Sequence, residues 1–143
     1  MRHLAFAALA ALTLAGCGGD GPSAEAPDAG GFIRLPAEGA RMSAAYLTVT
    51  RDTDDRLVSA SVEGVSVTEL HTVLDDEGVR RMRKVEGYDV KAGEPLVLQP
   101  GGNHLMLIGL YQPLQAGEER SVTLVFESGA TETVSLPVTS GQP

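Results

Sequence analysis

The chain has 143 residues, of which 43% are hydrophobic, and a formal net charge of −8, as expected for a single soluble domain. Eleven Lys and Arg against nineteen Asp and Glu exclude a basic nucleic-acid-binding surface as the main function, because such binding depends on neutralising phosphates. The single Cys excludes an intramolecular disulfide and a thiolate zinc cluster. Three His and four Met therefore leave few side chains from which a site could be built.

The N-terminal segment has the pattern of an export signal over residues 1–16. Arg2 supplies the positive charge, and an apolar run follows that is shorter than the roughly twenty residues needed to span a membrane. The sequence Leu14-Ala15-Gly16-Cys17 resembles the lipobox of bacterial lipoproteins, in which the cysteine is lipidated and becomes the first residue of the mature chain. We therefore predict a lipid anchor at Cys17 and a periplasmic or otherwise extracytoplasmic location on a membrane. The alternative is an ordinary secretory signal with a cysteine at the junction.

The rest of the chain divides into a tether, one domain and a short tail. Residues 17–31 are rich in Gly, Pro and Ala and have nothing to bury, which predicts a flexible tether. The domain is predicted over residues 32–138 and the tail over 139–143. Within the domain, short alternating runs separated by polar turns predict strands, and no run has helical periodicity. The predicted strands are 44–50, 57–62, 67–74, 80–85, 95–98, 104–110, 121–127 and 131–138. This pattern predicts an all-β, antiparallel sandwich or barrel.

Imidazole and thioether side chains form a spaced set in this domain. Ten residues separate His71 from Met82, twenty-one separate Met82 from His104, and one separates His104 from Met106. His104 and Met106 leave the same face of their strand, and a hairpin turn around residues 75–78 could return Met82 beside His71. Two neutral imidazoles and two thioethers form a soft, uncharged set that suits Cu(I), whereas Mg, Ca and Mn prefer oxygen ligands.

Each of these residues also has an ordinary structural interpretation. Met106, within an apolar run, could be a core residue, and Met82, between two arginines, could be buried beneath a polar rim. His104 could be a solvated loop residue and His71 a hydrogen-bonded strand residue. Met42 lies outside the spaced set, and we interpret it as a packing residue in preference to an auxiliary thioether.

The spacing of His71, Met82, His104 and Met106 resembles the signature of the PCuAC family of periplasmic copper chaperones. The flanking sequences are similar as well: Val67-Thr68-Glu69-Leu70-His71, Gly78-Val79-Arg80-Arg81-Met82-Arg83 and Pro100-Gly101-Gly102-Asn103-His104-Leu105-Met106-Leu107. The resemblance implies a cupredoxin-like, Greek-key antiparallel β-sandwich that binds Cu(I) near its surface. It also implies delivery of copper to the copper centre of cytochrome c oxidase, or exchange with another copper chaperone. The C-terminal extension rich in His and Met that some members carry has no counterpart here.

We expect the protein to be a monomer that transfers copper and not an enzyme. Thioethers suit an oxidising compartment because they form no disulfides, and the missing cysteine ligand argues against a blue-copper centre. The alternative is a lipid-anchored β-sandwich that acts as an interaction or scaffold module without a metal. An enzyme is a weaker third possibility, since no triad or paired-carboxylate signature is visible.

Overall fold

A computed structural model of the chain describes residues 30–140. Eleven strands and no helices make up this part of the chain. They are β1 (Phe32–Arg34), β2 (Met42–Tyr46), β3 (Thr48–Val49), β4 (Asp55–Val62), β5 (Val65–Asp76), β6 (Val79–Lys84), β7 (Tyr88–Val90), β8 (Leu96–Val97), β9 (His104–Leu110), β10 (Glu119–Phe126) and β11 (Thr131–Thr139). The predicted all-β fold is confirmed.

Nine of the strands form one long sheet in the order β6-β5-β9-β2-β1-β11-β10-β4-β7, and β3 pairs with β8. The β1–β11 pair is parallel, and the other pairs of named strands are antiparallel. Tyr88 lies on β7 at one edge of the sheet, yet its hydroxyl reaches the main chain of β5 and β9 near the opposite edge. The sheet is therefore folded over on itself, so that its two halves form the two layers of a sandwich.

The core lies between these layers and follows from the alternation of side chains along each strand. Val122, Leu124 and Phe126 point inwards from β10, while the residues between them are exposed or half-buried. From the other layer, Leu105 and Leu107 of β9 enter the same core and are fully buried. The inward face of β9 is thus filled by leucines, which leaves the outer face of that strand to His104 and Met106.

Apart from shifts of one or two residues at strand ends, the observed strands differ from the predicted ones in three places. The predicted run 44–50 is divided into β2 and β3 at Leu47, and β1 and β7 are not predicted at all. Both missed strands have only three residues, which is too short for alternation to be recognised. The signal segment 1–16, Cys17 and the tether up to residue 29 lie outside the described residues, as does the end of the tail. No helix within residues 30–140 is long and apolar enough to cross a membrane.

Candidate metal centre

The two histidines of the predicted set face each other across adjacent strands. His71 of β5 is the register partner of His104 of β9, and their ring centroids lie 5.6 Å apart. Because register partners share a face of the sheet, both rings stand on the outer face of this layer. A third ring follows on the next strand, β2, where the ring centroid of Tyr46 lies 6.4 Å from that of His104. Strand pairing thus brings together two imidazoles that are separated by more than thirty residues in sequence.

His104 is held in a form that can bind a metal. Its ring is only 4% exposed, so the solvated-loop interpretation of this residue is wrong. Nδ1 lies 2.9 Å from the carbonyl oxygen of Gly102, and since a carbonyl can only accept, Nδ1 carries the hydrogen. In the neutral ring the lone pair is then on Nε2. Fixing the tautomer through the other ring nitrogen is the usual way in which proteins prepare a histidine ligand.

His71 is oriented by an acidic neighbour on its own strand. Nε2 lies 2.9 Å from Oε2 of Glu69, whose other carboxylate oxygen accepts a hydrogen bond from Nζ of Lys84 at 2.8 Å. The Lys84 ammonium, and after it the His71 ring, hold the pKa of the Glu69 carboxyl below its usual range. The ionised carboxylate can only accept, so Nε2 donates to it. Nδ1 of His71 is buried without a hydrogen-bond partner, which leaves it available as a ligand atom.

Tyr88 ties both histidine strands to the opposite layer of the sandwich. Its hydroxyl lies 2.5 Å from the carbonyl oxygen of His71 and 3.0 Å from that of His104. Burial of the side chain raises the pKa of Tyr88 to about 12, so the phenol keeps its proton and donates. Tyr88 is not identified by sequence analysis, because a tyrosine on a three-residue strand carries no recognisable motif.

Both methionines of the set lie on the same face as the histidines. Met106 is two residues after His104 on β9, is partly buried, and is the register partner of Glu69. Met82 on β6 is the register partner of Val73, two residues after His71. The predicted hairpin exists, but it places Met82 diagonally from His71 and not directly beside it. Met82 is 62% exposed and Met106 faces away from the leucine core, so the core interpretations of both methionines are wrong.

A cleft of about 490 Å³ on this outer face, which we term the methionine cleft, gathers most of these side chains. Its walls include Met82, His104 and Met106, together with Met42, Arg34 and Arg80. His71 does not line the cleft, although its ring is the neighbour of the His104 ring across the strand pair. Met42 is 49% exposed, so its interpretation as a packing residue is wrong. Pairing of β2 with β9 brings Met42 to the cleft, and this pairing cannot be recognised from the sequence.

The donor atoms of the methionine cleft are chemically selective. No group of three or more His, Cys, Asp or Glu within residues 30–140 is placed to hold a metal ion. The soft and borderline donors that line the cleft are instead the imidazole of His104 and the thioethers of Met42, Met82 and Met106, which carry no charge. The residues present thus fit a monovalent soft ion and do not resemble the oxygen-rich sites of Mg²⁺ or Ca²⁺.

The fold defines a class, because the same architecture recurs in solved copper-binding domains. The copper-bound PCuAC domain from PmoF2 aligns with a TM-score of 0.63 at 21% identity, over 78% of this chain and 89% of that domain. The Cu(I) form of DR1885 from Deinococcus radiodurans aligns with a TM-score of 0.64 at 30% identity, over 83% of each chain. The chain therefore has the cupredoxin-like fold of PCuAC domains.

The sequence comparisons identify the family. Residues 29–138 match the family model described as "Putative lipoprotein LpqE-like", and the chain belongs to this family. The protein named "Putative lipoprotein Lxx21020" from Leifsonia xyli is 38% identical over 107 residues, which are 73% of this chain and 64% of that protein. The chain spans less than two thirds of the length of the curated relatives it matches.

Proposed function

We propose that the chain binds one Cu(I) ion through His71, Met82, His104 and Met106 and hands it to a copper-accepting protein. The observation that carries this proposal is the cross-strand pair of His71 and His104, each with one ring nitrogen engaged by a fixed acceptor and the other without a hydrogen-bond partner among the described residues. Two thioethers stand on the same face of the sheet. Copper is bound by the solved relatives of the same fold, one of them at 30% identity.

The donor set suits transfer better than storage or catalysis. Neutral thioethers and imidazoles hold Cu(I) without a charge that would have to be separated when the ion leaves. Met82 is the most exposed of the four ligands, which makes it the first that an acceptor could displace. The transfer then proceeds by exchange, in which each bond from copper to a ligand of this chain breaks as a bond to the acceptor forms. The ion remains Cu(I) throughout, and no proton or electron is consumed.

The place of action and the acceptor are parts of the same proposal. Lipidation of Cys17 would anchor the chain to a membrane on its extracytoplasmic side, with residues 18–31 as a tether that lets the domain reach a partner. The acceptor implied by the PCuAC resemblance is the copper-binding subunit of cytochrome c oxidase, or another copper chaperone. A membrane anchor places donor and acceptor on one surface, which raises their effective concentration.

Competition for Cu(I) with a chromophoric chelator under anaerobic conditions tests the binding site. We expect one copper per chain, and a loss of affinity on the order of tenfold or more for Met82→Leu and for His104→Ala. Leu74→Met provides a matched control, because Leu74 is an exposed apolar residue on β5 that does not line the methionine cleft. Unchanged affinity in both ligand variants would refute the site. Absence of copper binding would favour the scaffold function.

Delivery is tested separately from binding. Deleting the protein from cells should lower cytochrome oxidase activity, and added copper should restore that activity. The Met82→Leu and His104→Ala variants should fail to complement the deletion, whereas Leu74→Met should succeed. Full complementation by both ligand variants would show that copper transfer through this site is not the function.

A further inference from the structure

Met42 is an exposed thioether that the predicted ligand set does not include. It is the first residue of β2 and is 49% exposed, whereas the other four residues of that strand are buried. Its side chain lines the methionine cleft together with Met82, His104 and Met106. Since it is not enclosed by the core, packing does not account for a methionine at this position. The cleft thus contains three thioethers where the proposed site uses two.

Strand register places Met42 close to Met106. Ala44 is the register partner of Met106 and Met42 that of Ile108, so Met42 and Met106 are diagonal neighbours on the same face. Diagonal neighbours in an antiparallel pair are about 7–8 Å apart, within reach of two long side chains that converge on one ion. Met82 lies on β6, two strands away from Met106 on β9. Their register partners on the intervening strand β5, Val73 and Glu69, are four residues apart. Along the sheet, Met42 is therefore nearer to Met106 than Met82 is.

We propose that Met42 is a further Cu(I) ligand, which binds copper together with Met106 at the β2 side of the methionine cleft as the ion enters or leaves. This inference rests on the proposed function. In the exchange, copper keeps its bond to the sulfur of Met106 and forms a bond to the sulfur of Met42, while its bonds to the sulfur of Met82 and to the two imidazole nitrogens break. Both sulfurs are neutral and the ion stays Cu(I), so no redox partner is needed. The chain thus provides a resting position with two imidazoles and two thioethers, and an exit position with thioethers only.

Methyl NMR of the full-length chain labelled at the methionine ε-methyl groups tests the contact directly. Signals are assigned with Met42→Leu, Met82→Leu and Met106→Leu, and Cu(I) is added stepwise under anaerobic conditions. We expect the Met42 signal to shift during the titration together with those of Met82 and Met106. A Met42 signal that stays fixed while the other two shift would overturn the role of Met42 and leave the proposed function standing. If no methionine signal shifts, the proposed copper site fails, and the role of Met42 fails with it.

The rate of copper release provides the second readout. A saturating Cu(I) chelator should withdraw copper from Met42→Leu about tenfold more slowly than from the unaltered chain, because the exit ligand is missing. Val67→Leu is the matched control, since Val67 is also 49% exposed and, like Met42, is a register partner of Ile108. Release from Val67→Leu should be unchanged. Equal release rates for Met42→Leu and the unaltered chain would refute the exit role.

Discussion

The β10–β11 pair and the β5–β6 hairpin are both long antiparallel ladders, but they serve opposite purposes. Along β10, buried and exposed residues alternate, and Val122, Leu124 and Phe126 are almost completely enclosed. All six residues of β6 are exposed, and the strand contains four cations and Met82. Buried packing thus dominates the β10–β11 ladder, whereas the β5–β6 hairpin is largely exposed and contains two of the proposed ligands, His71 and Met82. The proposed transfer of copper would depend on this exposure at Met82, because a ligand that an acceptor displaces has to be reachable from solvent.

The hairpin keeps its shape through its turn and not through burial. Glu77 and Gly78 both have positive φ, at 53° and 82°, as a two-residue type I′ turn between Asp76 and Val79 requires. Such a turn fixes the register of β5 against β6, and with it the position of Met82 relative to His71. The acidic run 75–77 therefore serves to form the turn, with Asp75 accepting a hydrogen bond from the main-chain nitrogen of Gly78 at 2.9 Å.

Paired substitutions in the two regions should give the largest contrast. Leu124→Ala leaves a cavity in the fully buried half and should lower the free energy of unfolding by about 3 kcal/mol. Met82→Leu, at an exposed position of similar volume, should change it by no more than about 0.5 kcal/mol while weakening Cu(I) binding. Urea denaturation of the apo chain measures both. Comparable destabilisation by the two changes would contradict the contrast between the buried β10–β11 ladder and the exposed β5–β6 hairpin.

Tyr88 connects the two layers of the sandwich, and removal of its hydroxyl should have an effect of intermediate size on stability. Tyr88→Phe removes the donor to the carbonyl oxygens of His71 and His104, which should cost about 1 kcal/mol of stability and weaken Cu(I) binding. Tyr111→Phe is the control, because Tyr111 is 63% exposed. Stability is measured by urea denaturation and affinity by chelator competition. If Tyr88→Phe lowers stability without affecting copper affinity, the hydroxyl does not position the histidines.

The smallest expected effect lies at Asp55, away from the methionine cleft. The Ser128 hydroxyl, and less strongly the main-chain nitrogens of Arg56 and Ser128, keep the pKa of Asp55 below its ordinary value of 3.8. Because the pKa of Asp55 is lower in the folded than in the unfolded chain, the ionised carboxylate stabilises the folded state above pH 3.8. This contribution to the free energy of unfolding is lost as the pH falls through the folded-state pKa. Thermal unfolding of the apo chain between pH 5 and pH 2 should therefore depend less on pH in Asp55→Asn. Identical pH profiles for the two chains would contradict this assignment.

The amino-acid sequence alone predicts the strands well where alternation is long enough. The predicted bounds 104–110 coincide with β9, where the buried Leu105 and Leu107 alternate with the half-buried Met106 and Ile108. Register is harder to predict, because it depends on contacts between segments distant in sequence. The sequence spacing groups His71 with His104 but does not reveal that they are direct cross-strand partners. For the same reason Met42, which enters the methionine cleft only through pairing of β2 with β9, is not recognised.

X-ray absorption spectroscopy of the Cu(I)-loaded full-length chain tests the central claim most directly, because it identifies the atoms bound to copper. We expect a Cu(I) edge with both sulfur and imidazole nitrogen scatterers in the resting state. The sulfur contribution should decrease in Met82→Leu, and the imidazole contribution should decrease in His104→Ala. Copper surrounded only by oxygen or nitrogen, with a spectrum unaffected by either substitution, would contradict a site built from His71, Met82, His104 and Met106.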